Sequence, residues 1–154
     1  MRLTIYTDFA LRMLTYLAVH KDRTCTVKEI ADAYDISRNH LLKVANQLAS
    51  SGFVETTRGN GGGLRLGMPP HKIGIGAVVR LTEPDFHVVS CFNPQSSGCK
   101  IESVCKLQRA LQEALAAFLK VLDRYTVSDL MAVKPTLRTL LEINGRPVHF
   151  LKVA

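Results

Sequence analysis

The stretch that decides the fold is residues 26–66, TVKEIADAYDISRNHLLKVANQLASSGFVETTRGNGGGLRL. It begins with a capping box, in which the Thr26 hydroxyl accepts from one free N–H of a helix and the Glu29 side chain accepts from another. After a short break, Ser37 can cap a second helix of the stretch, roughly over 38–50. The stretch therefore predicts two helices joined by a tight turn.

The second half of the stretch predicts a β-hairpin with a glycine-rich tip. Residues 53–56 and 64–66 alternate between apolar and polar side chains, as strands do. The link between them, Thr57-Arg58-Gly59-Asn60-Gly61-Gly62-Gly63, is typical of a hairpin turn. Two helices followed by such a hairpin are typical of a winged helix–turn–helix.

Apolar periodicity predicts three further helices outside this stretch. The first covers residues 4–20, where Thr4 can cap the start. A short helix covers 72–82, and Pro84 ends it. The third is long, over 104–125, and is apolar on two sides. A helix of this kind has to be covered twice, and a second copy of the chain is one candidate cover.

The pattern gives a mainly α fold with a small β-hairpin wing, divided into four segments. We expect a winged helix–turn–helix DNA-binding domain over 1–70. Residues 71–103 are expected to form a short helix and a cysteine-rich loop, which is the segment expected to bind a metal cluster. A dimerisation helix follows over 104–126. The C-terminal segment over 127–154 has no assigned structure and no assigned role.

The composition restricts the class of protein further. The 154 residues hold 20 Lys and Arg against 13 Asp and Glu, and the net charge of +7 favours an acidic partner such as nucleic acid. A hydrophobic content of 47% excludes a disordered chain. No apolar run reaches the roughly 18 residues that a membrane span requires, and the first residues lack a secretory signal. We expect a cytoplasmic protein with reduced thiols and no membrane partner.

Basic residues are concentrated where a winged helix–turn–helix meets DNA. Residues 37–72 hold five Lys or Arg and a single acid. Polar side chains at the start of a recognition helix can reach base edges and phosphates, and arginines on a wing can enter the minor groove. The predicted DNA-binding residues are Lys28, Ser37, Arg38, Asn39, His40, Lys43, Arg58, Asn60 and Arg65. The alternative is that these residues are solvated charges on a helix and a loop.

Three cysteines, Cys91, Cys99 and Cys105, lie close together with the spacing C-x7-C-x5-C. Three soft thiolates in a short loop favour zinc or an iron–sulfur cluster, and a fourth position is left for an external ligand or a distant side chain. His87 lies near the loop and is a conceivable ligand. The alternatives are packing or free thiols, or one disulfide with a spare thiol. No set of side chains with the spacing of an active site is present, so the sequence does not predict an enzyme.

The motifs together resemble the bacterial iron–sulfur winged-helix regulators of the IscR/NsrR type, over roughly residues 2–130. The resemblance rests on the three cysteines and on the motifs Leu3-Thr4, Thr7-Asp8-Phe9-Ala10-Leu11-Arg12, Ser37-Arg38-Asn39-His40-Leu41, Arg58-Gly59 and Gly61-Gly62-Gly63-Leu64-Arg65-Leu66. It is strongest to the nitric-oxide-sensing repressors of that family. The other branch has a shorter first cysteine interval and a histidine where this chain has Gln108.

The resemblance implies a homodimer whose long helices cross and whose two winged domains read an inverted repeat in double-stranded DNA. It implies an iron–sulfur cluster held by Cys91, Cys99 and Cys105, [4Fe–4S] rather than [2Fe–2S], with Asp8 of the partner subunit as a further ligand. Attack of nitric oxide on the cluster would release the repressor. The alternative for Asp8 is a helix pair with Arg12. Alternative functions are a regulator of iron–sulfur assembly genes and an iron–sulfur carrier protein.

Overall fold

The structure is a computed structural model that describes residues 2–59, 62–95 and 99–142. Within these ranges the chain forms helices and a two-stranded antiparallel sheet. The helices are α1 (Ile5–Val19), α2 (Val27–Tyr34), α3 (Arg38–Ser50), α4 (Ile75–Thr82), α5 (Lys106–Leu122) and α6 (Lys134–Glu142), and the strands are β1 (Val54–Thr57) and β2 (Gly63–Leu66). The predicted mainly α fold with a small β-hairpin wing is confirmed. No helix in the described ranges is long and apolar enough to cross a membrane.

The start of α2 has the predicted capping box. The Thr26 hydroxyl accepts from the Glu29 N–H at 3.1 Å, and the Glu29 carboxylate accepts from the Thr26 N–H at 2.5 Å. The helix ends at Asp35, whose left-handed backbone (φ 53°) turns the chain toward α3. Ser37 precedes α3 as predicted, but its side chain makes no capping hydrogen bond. The hydroxyl of Ser37 is therefore not used to close the helix.

The core is built around α1, which packs against both α3 and α4. The almost fully buried apolar side chains of α1 include Ala10, Met13, Leu14 and Leu17. They meet Leu41, Val44 and Leu48 from α3 and Ile75, Val78 and Val79 from α4. Burying a leucine or valine of this kind contributes roughly 1.5–3 kcal/mol. We use the term winged module for α1 to α4 with β1 and β2, because these elements share one core.

The wing is attached to this core at its base. Val54 pairs with Leu66 and Thr56 with Leu64 in the antiparallel register. Leu64 is buried and also forms a bridge to Cys25, with N–H···O distances of 2.9 and 2.7 Å. The wing therefore pairs with the chain that leads into α2.

The long helix is shorter than its periodicity predicts. The expectation was 104–125, whereas α5 covers Lys106–Leu122 and a separate 3-10 turn covers Glu102–Val104. Cys105 is the N-cap residue, with an extended backbone, and its Sγ accepts from the Gln108 N–H at 3.4 Å. The thiol interrupts the helix where the apolar repeat continues. None of the residues of α5 is buried.

The C-terminal segment contains a helix that the sequence pattern did not predict. Pro135 is the second residue of α6, where a proline is tolerated because its missing N–H has no partner in the first helical turn. Leu141 from this helix packs against the core. The proline therefore lies inside the first turn of a helix.

Candidate DNA interface and cysteine segment

The predicted DNA-binding side chains share one property, which is exposure to solvent. Within the described ranges all of them are exposed: Lys28, Ser37, Arg38, Asn39, His40, Lys43, Arg58 and Arg65. Asn60 lies outside the described residues. On α3, the polar side chains at the start lie opposite Leu41, Val44 and Leu48, which enter the core. The helix therefore presents a polar face while its other face fixes it to the module.

The cationic side chains of this surface differ in whether they form an ion pair with a neighbouring carboxylate. The Lys28 ammonium lies 2.7 Å from the Asp32 carboxylate, and the Arg65 guanidinium lies 2.6 Å from Glu55. For Arg38, Lys43 and Arg58 the described part of the chain offers no ion pair. Within the described ranges these three side chains are therefore open to an external anion such as phosphate.

Helix α1 contacts α3 through a hydrogen bond and a pair of rings. The Tyr6 hydroxyl donates to the backbone carbonyl of Lys43 at 3.0 Å, and the rings of Phe9 and His40 lie 6.2 Å apart. Burial raises the pKa of the Tyr6 hydroxyl, so it stays protonated and available as a donor. The orientation of α3 therefore depends on α1.

The three cysteines predicted as ligands lie in what we call the cysteine segment, residues 90–105. Cys91 is half-buried in a 3-10 turn, Cys99 is exposed, and Cys105 is half-buried at the start of α5. All three thiols are free. Among the described residues, no group of three or more His, Cys, Asp and Glu lies close enough to hold a metal ion. The donor set itself, three free and accessible thiols, fits an iron–sulfur cluster.

Asp8 lies in the first turn of α1 and is paired within its own helix. Its carboxylate is 2.9 Å from the Arg12 guanidinium, which is the i,i+4 pair that the spacing predicts. The Arg12 guanidinium also lies over the Tyr34 ring, 5.6 Å from its centre. Burial raises the pKa of Tyr34 to about 12, so this ring remains neutral. The pair engages the Oδ2 atom of Asp8, and the role of Asp8 as a ligand stays a prediction.

A cavity of about 390 Å³ lies beside Cys91. Leu115, Ala116 and Leu119 of α5 form its apolar wall, and His87 lines it as well. The His87 ring is 3.5 Å from the Asp85 carboxylate. His87 and Cys91 therefore line one cavity, and the role of His87 as a ligand stays a prediction.

A polar network that the sequence did not predict joins α1 to α4. The Glu83 carboxylate accepts from the Thr4 N–H at 2.8 Å, from the Thr4 hydroxyl at 2.9 Å and from the Thr7 hydroxyl. The hydroxyls of Thr7 and Thr82 lie 2.9 Å apart in the core. No local pattern indicates this contact, because its partners are more than 70 residues apart. The network fixes the start of α1 to the residue from which the chain leaves α4 toward the cysteines.

A winged helix–turn–helix with an exposed polar recognition helix defines the class as a transcriptional regulator. The chain belongs to the Rrf2 family, because the family model described as "Iron-dependent Transcriptional regulator" matches residues 3–133. It is similar to the HTH-type transcriptional regulator NsrR of Bacillus subtilis (strain 168), with 49% identity over 144 residues, 93% of this chain and 99% of that protein. NsrR of Bacillus licheniformis is 46% identical over 142 residues, 92% of this chain and 99% of the relative. The resemblance to IscR/NsrR-type regulators is confirmed.

Solved structures show the same fold. CymR of B. subtilis, described as a global cysteine regulator, has a TM-score of 0.66 at 23% identity, covering 86% of this chain and 98% of that chain. The IscR structure from T. potens has a TM-score of 0.67 at 20% identity, covering 85% of this chain and 86% of that chain. The curated relatives support a regulator over the alternative of an iron–sulfur carrier.

Proposed function

We propose that the protein is a repressor that binds an inverted-repeat operator in double-stranded DNA as a homodimer. We further propose that an iron–sulfur cluster makes this binding sensitive to nitric oxide. The observation that carries the proposal is the exposed polar face of α3 next to the wing, in a chain 49% identical to a transcriptional regulator. The protein acts as a regulator in the cytoplasm rather than as an enzyme.

The chemistry of α3 and the wing suits duplex DNA. Arg38 can read guanine through two hydrogen bonds, and Asn39 can read adenine in the same way. Lys43 and Arg58, which have no ion pair in the described ranges, can contact phosphates or the minor groove. Ser37, whose hydroxyl is not used in capping, is available as a phosphate donor.

The homodimer is supported by α5. Within the helix, Leu107 near its start is 66% exposed and Val121 near its end is also exposed. Val104 in the preceding 3-10 turn, 74% exposed, and Tyr125 just after the helix extend this apolar surface. Apolar surface of this extent along one helix is typical of an interface, and a second copy of the same helix would cover it. Two winged modules would then face successive turns of the duplex.

Cys91, Cys99 and Cys105 would hold the cluster, [4Fe–4S] rather than [2Fe–2S], with Asp8 of the partner subunit as a further ligand. When bound, the cluster would supply the iron with which nitric oxide reacts. The chain itself connects the cysteine segment to the DNA interface. Glu83 ties the end of α4 to the start of α1, and Tyr6 of α1 holds the carbonyl of Lys43 in α3. A displacement of the cysteine segment therefore reaches the recognition helix through α1.

The proposal is tested with protein purified without oxygen. Its absorption spectrum and iron content are measured, a binding duplex is selected from random sequences, and affinity is followed during titration with nitric oxide. We expect coloured, iron-containing protein whose affinity for the selected duplex falls as nitric oxide is added. Iron-free protein that binds the same duplex with unchanged affinity would contradict the cluster switch. Binding that does not weaken with added salt would contradict DNA recognition itself.

A further inference from the structure

The C-terminal end of α5 is joined to the start of α4 by a short antiparallel contact. Gly74 and Thr126 form an isolated bridge. The residues around them contribute two N–H···O hydrogen bonds of 2.9 Å, from Ile75 to Tyr125 and from Val127 to Ile73. Val127 is fully buried. The chain that leaves α5 is thus fixed to the winged module by backbone bonds.

A bidentate salt bridge stabilises the same contact between α4 and the C-terminal end of α5. The guanidinium of Arg80, in the last turn of α4, donates twice to the carboxylate of Asp123, the residue that caps α5. The two distances are 2.5 Å (Nη1–Oδ1) and 2.8 Å (Nη2–Oδ2). The hydrogen bond from Arg80 lowers the pKa of Asp123, so this carboxylate stays ionised. A two-point contact of this kind fixes direction as well as distance.

Gly76 makes room for this ion pair. A Cβ atom at this position would lie 2.0 Å from the Asp123 Oδ1 atom and 2.8 Å from the Arg80 Nη1 atom. A methyl group would therefore displace both partners. At Gly74, two residues earlier, the nearest atom to an added Cβ is 3.9 Å away, at Ala77. An alanine substitution at Gly76 therefore disturbs the ion pair, and the same substitution at Gly74 provides a matched control.

Among the described residues, the start of α5 has no comparable contact with the core. The α5 residues that pack against the core, among those described, are Leu119 and Leu122, both in its second half. Leu107, at the start of the helix, is largely exposed. The orientation of α5 relative to the winged module is therefore set at its C-terminal end. We refer to Gly76, Arg80 and Asp123 as the α4–α5 clamp.

We propose that the α4–α5 clamp determines the half-site spacing that the protein recognises. The inference rests on the proposed function, in that two copies meet through α5 and bind an inverted repeat. A helix of 17 residues is about 25 Å long. A tilt of about 10° at the clamp moves its far end by about 4 Å, which exceeds the rise of about 3.4 Å per base pair. Small changes at the clamp therefore change which spacing fits both recognition helices.

The experiment compares Gly76→Ala with Gly74→Ala in the full-length protein purified without oxygen. Each variant is titrated with the selected duplex, with duplexes one base pair longer or shorter between half-sites, and with a single half-site. We expect the wild type to prefer its own spacing by about tenfold, because one base pair rotates a half-site by about 35°. In Gly76→Ala this preference falls to about threefold or less. Gly74→Ala keeps the wild-type preference.

A second variant, Arg80→Met, removes the ion pair without adding a group beside Asp123. It is expected to lose the spacing preference as Gly76→Ala does. In both variants the affinity for a single half-site stays within about twofold of wild type, because no residue of α3 or the wing has changed. Hydrogen exchange accelerates at the amides of Ile75 and Val127 and stays slow in α1, which shows that the module remains folded.

Clamp variants that retain the wild-type spacing preference would overturn the inference. An equal loss of affinity for single half-sites and for full operators would also overturn it, since that result would place the effect within one winged module. Failure of the proposed function gives a different result. In that case the wild type itself shows no preference for two half-sites over one, or sediments as a monomer at binding concentrations.

Discussion

The winged module and α5 differ in how far their apolar residues are buried. In the winged module the side chains of α1, α3 and α4 cover one another, and residues such as Leu14 and Leu48 have no exposed surface. In α5 no residue is buried, and Leu107 is 66% exposed. The comparison teaches that the module is stabilised by its own residues, whereas α5 presents a surface that a second chain can complete.

The cysteines give the largest expected difference between the two regions. Cys25 in the winged module is fully buried, and burial raises the pKa of its thiol, which therefore stays protonated. Cys105 at the start of α5 is accessible. Cys105→Ala is expected to abolish bound iron, whereas Cys25→Ala retains it, as measured by iron and sulfide content after anaerobic purification. Equal loss of iron in both variants would contradict the assignment.

The next largest effect is on stability. Leu14→Ala in α1 is expected to lower the free energy of unfolding of the module by about 3 kcal/mol, because it leaves a cavity in a packed core. Leu107→Ala in α5 is expected to change it by less than about 0.5 kcal/mol. Hydrogen exchange of the slowest α1 amides measures both values. Leu107→Ala should instead shift the sedimenting species toward monomer, and an unchanged dimer would break the comparison.

Recognition and sensing can be separated by Arg38→Ala. Arg38 is exposed at the start of α3, far in the sequence from the cysteine segment. We expect the loss of about 2 kcal/mol of binding free energy, about thirtyfold in Kd, with unchanged iron content. The matched control is Lys28→Ala, which removes a cation already paired with Asp32 and should cost less. An equal loss in the control would show that only total charge matters.

The smallest effect concerns the turn that follows α5. Hydrogen bonds from Thr126 lower the pKa of Asp129 below its ordinary value of 3.8. The folded state therefore gains stability above that value, and the gain disappears as the pH falls through the lowered pKa. Asp129→Asn removes this dependence. Thermal unfolding between about pH 5 and pH 2 should show a smaller decrease in Tm for the variant. An identical decrease in both proteins would contradict the assignment.

The sequence predicted those parts of the fold whose signals are local. The capping box of Thr26 and Glu29, the turn before Ser37 and the paired strands of the wing depend on neighbouring residues. The start of α5 was predicted two residues too early, because a thiol at Cys105 caps the helix where the apolar repeat continues. The contact of Glu83 with Thr4 was not predictable, since it depends on packing between residues far apart in sequence.

For the candidate site, too, local features were predictable from the sequence and long-range features were not. The exposure of the predicted DNA-binding residues on α3 followed from helical periodicity, because Leu41 and Val44 fix which face turns inward. The pairing of Asp8 with Arg12 also followed from spacing along one helix. Sequence spacing gave the three cysteines as a set, but it gave no geometry for them. Their mutual placement depends on tertiary structure, which carries no signature in the pattern of residues.

The bridge between Cys25 and Leu64 gives the wing a mechanical role. Leu64 pairs with Thr56 on one side and with Cys25 on the other, and Cys25 is the residue before the N-cap of α2. A force applied to the wing therefore passes directly to the first turn of α2. The base of the wing and the start of α2 are therefore joined through backbone hydrogen bonds, and we expect a displacement of either one to move the other.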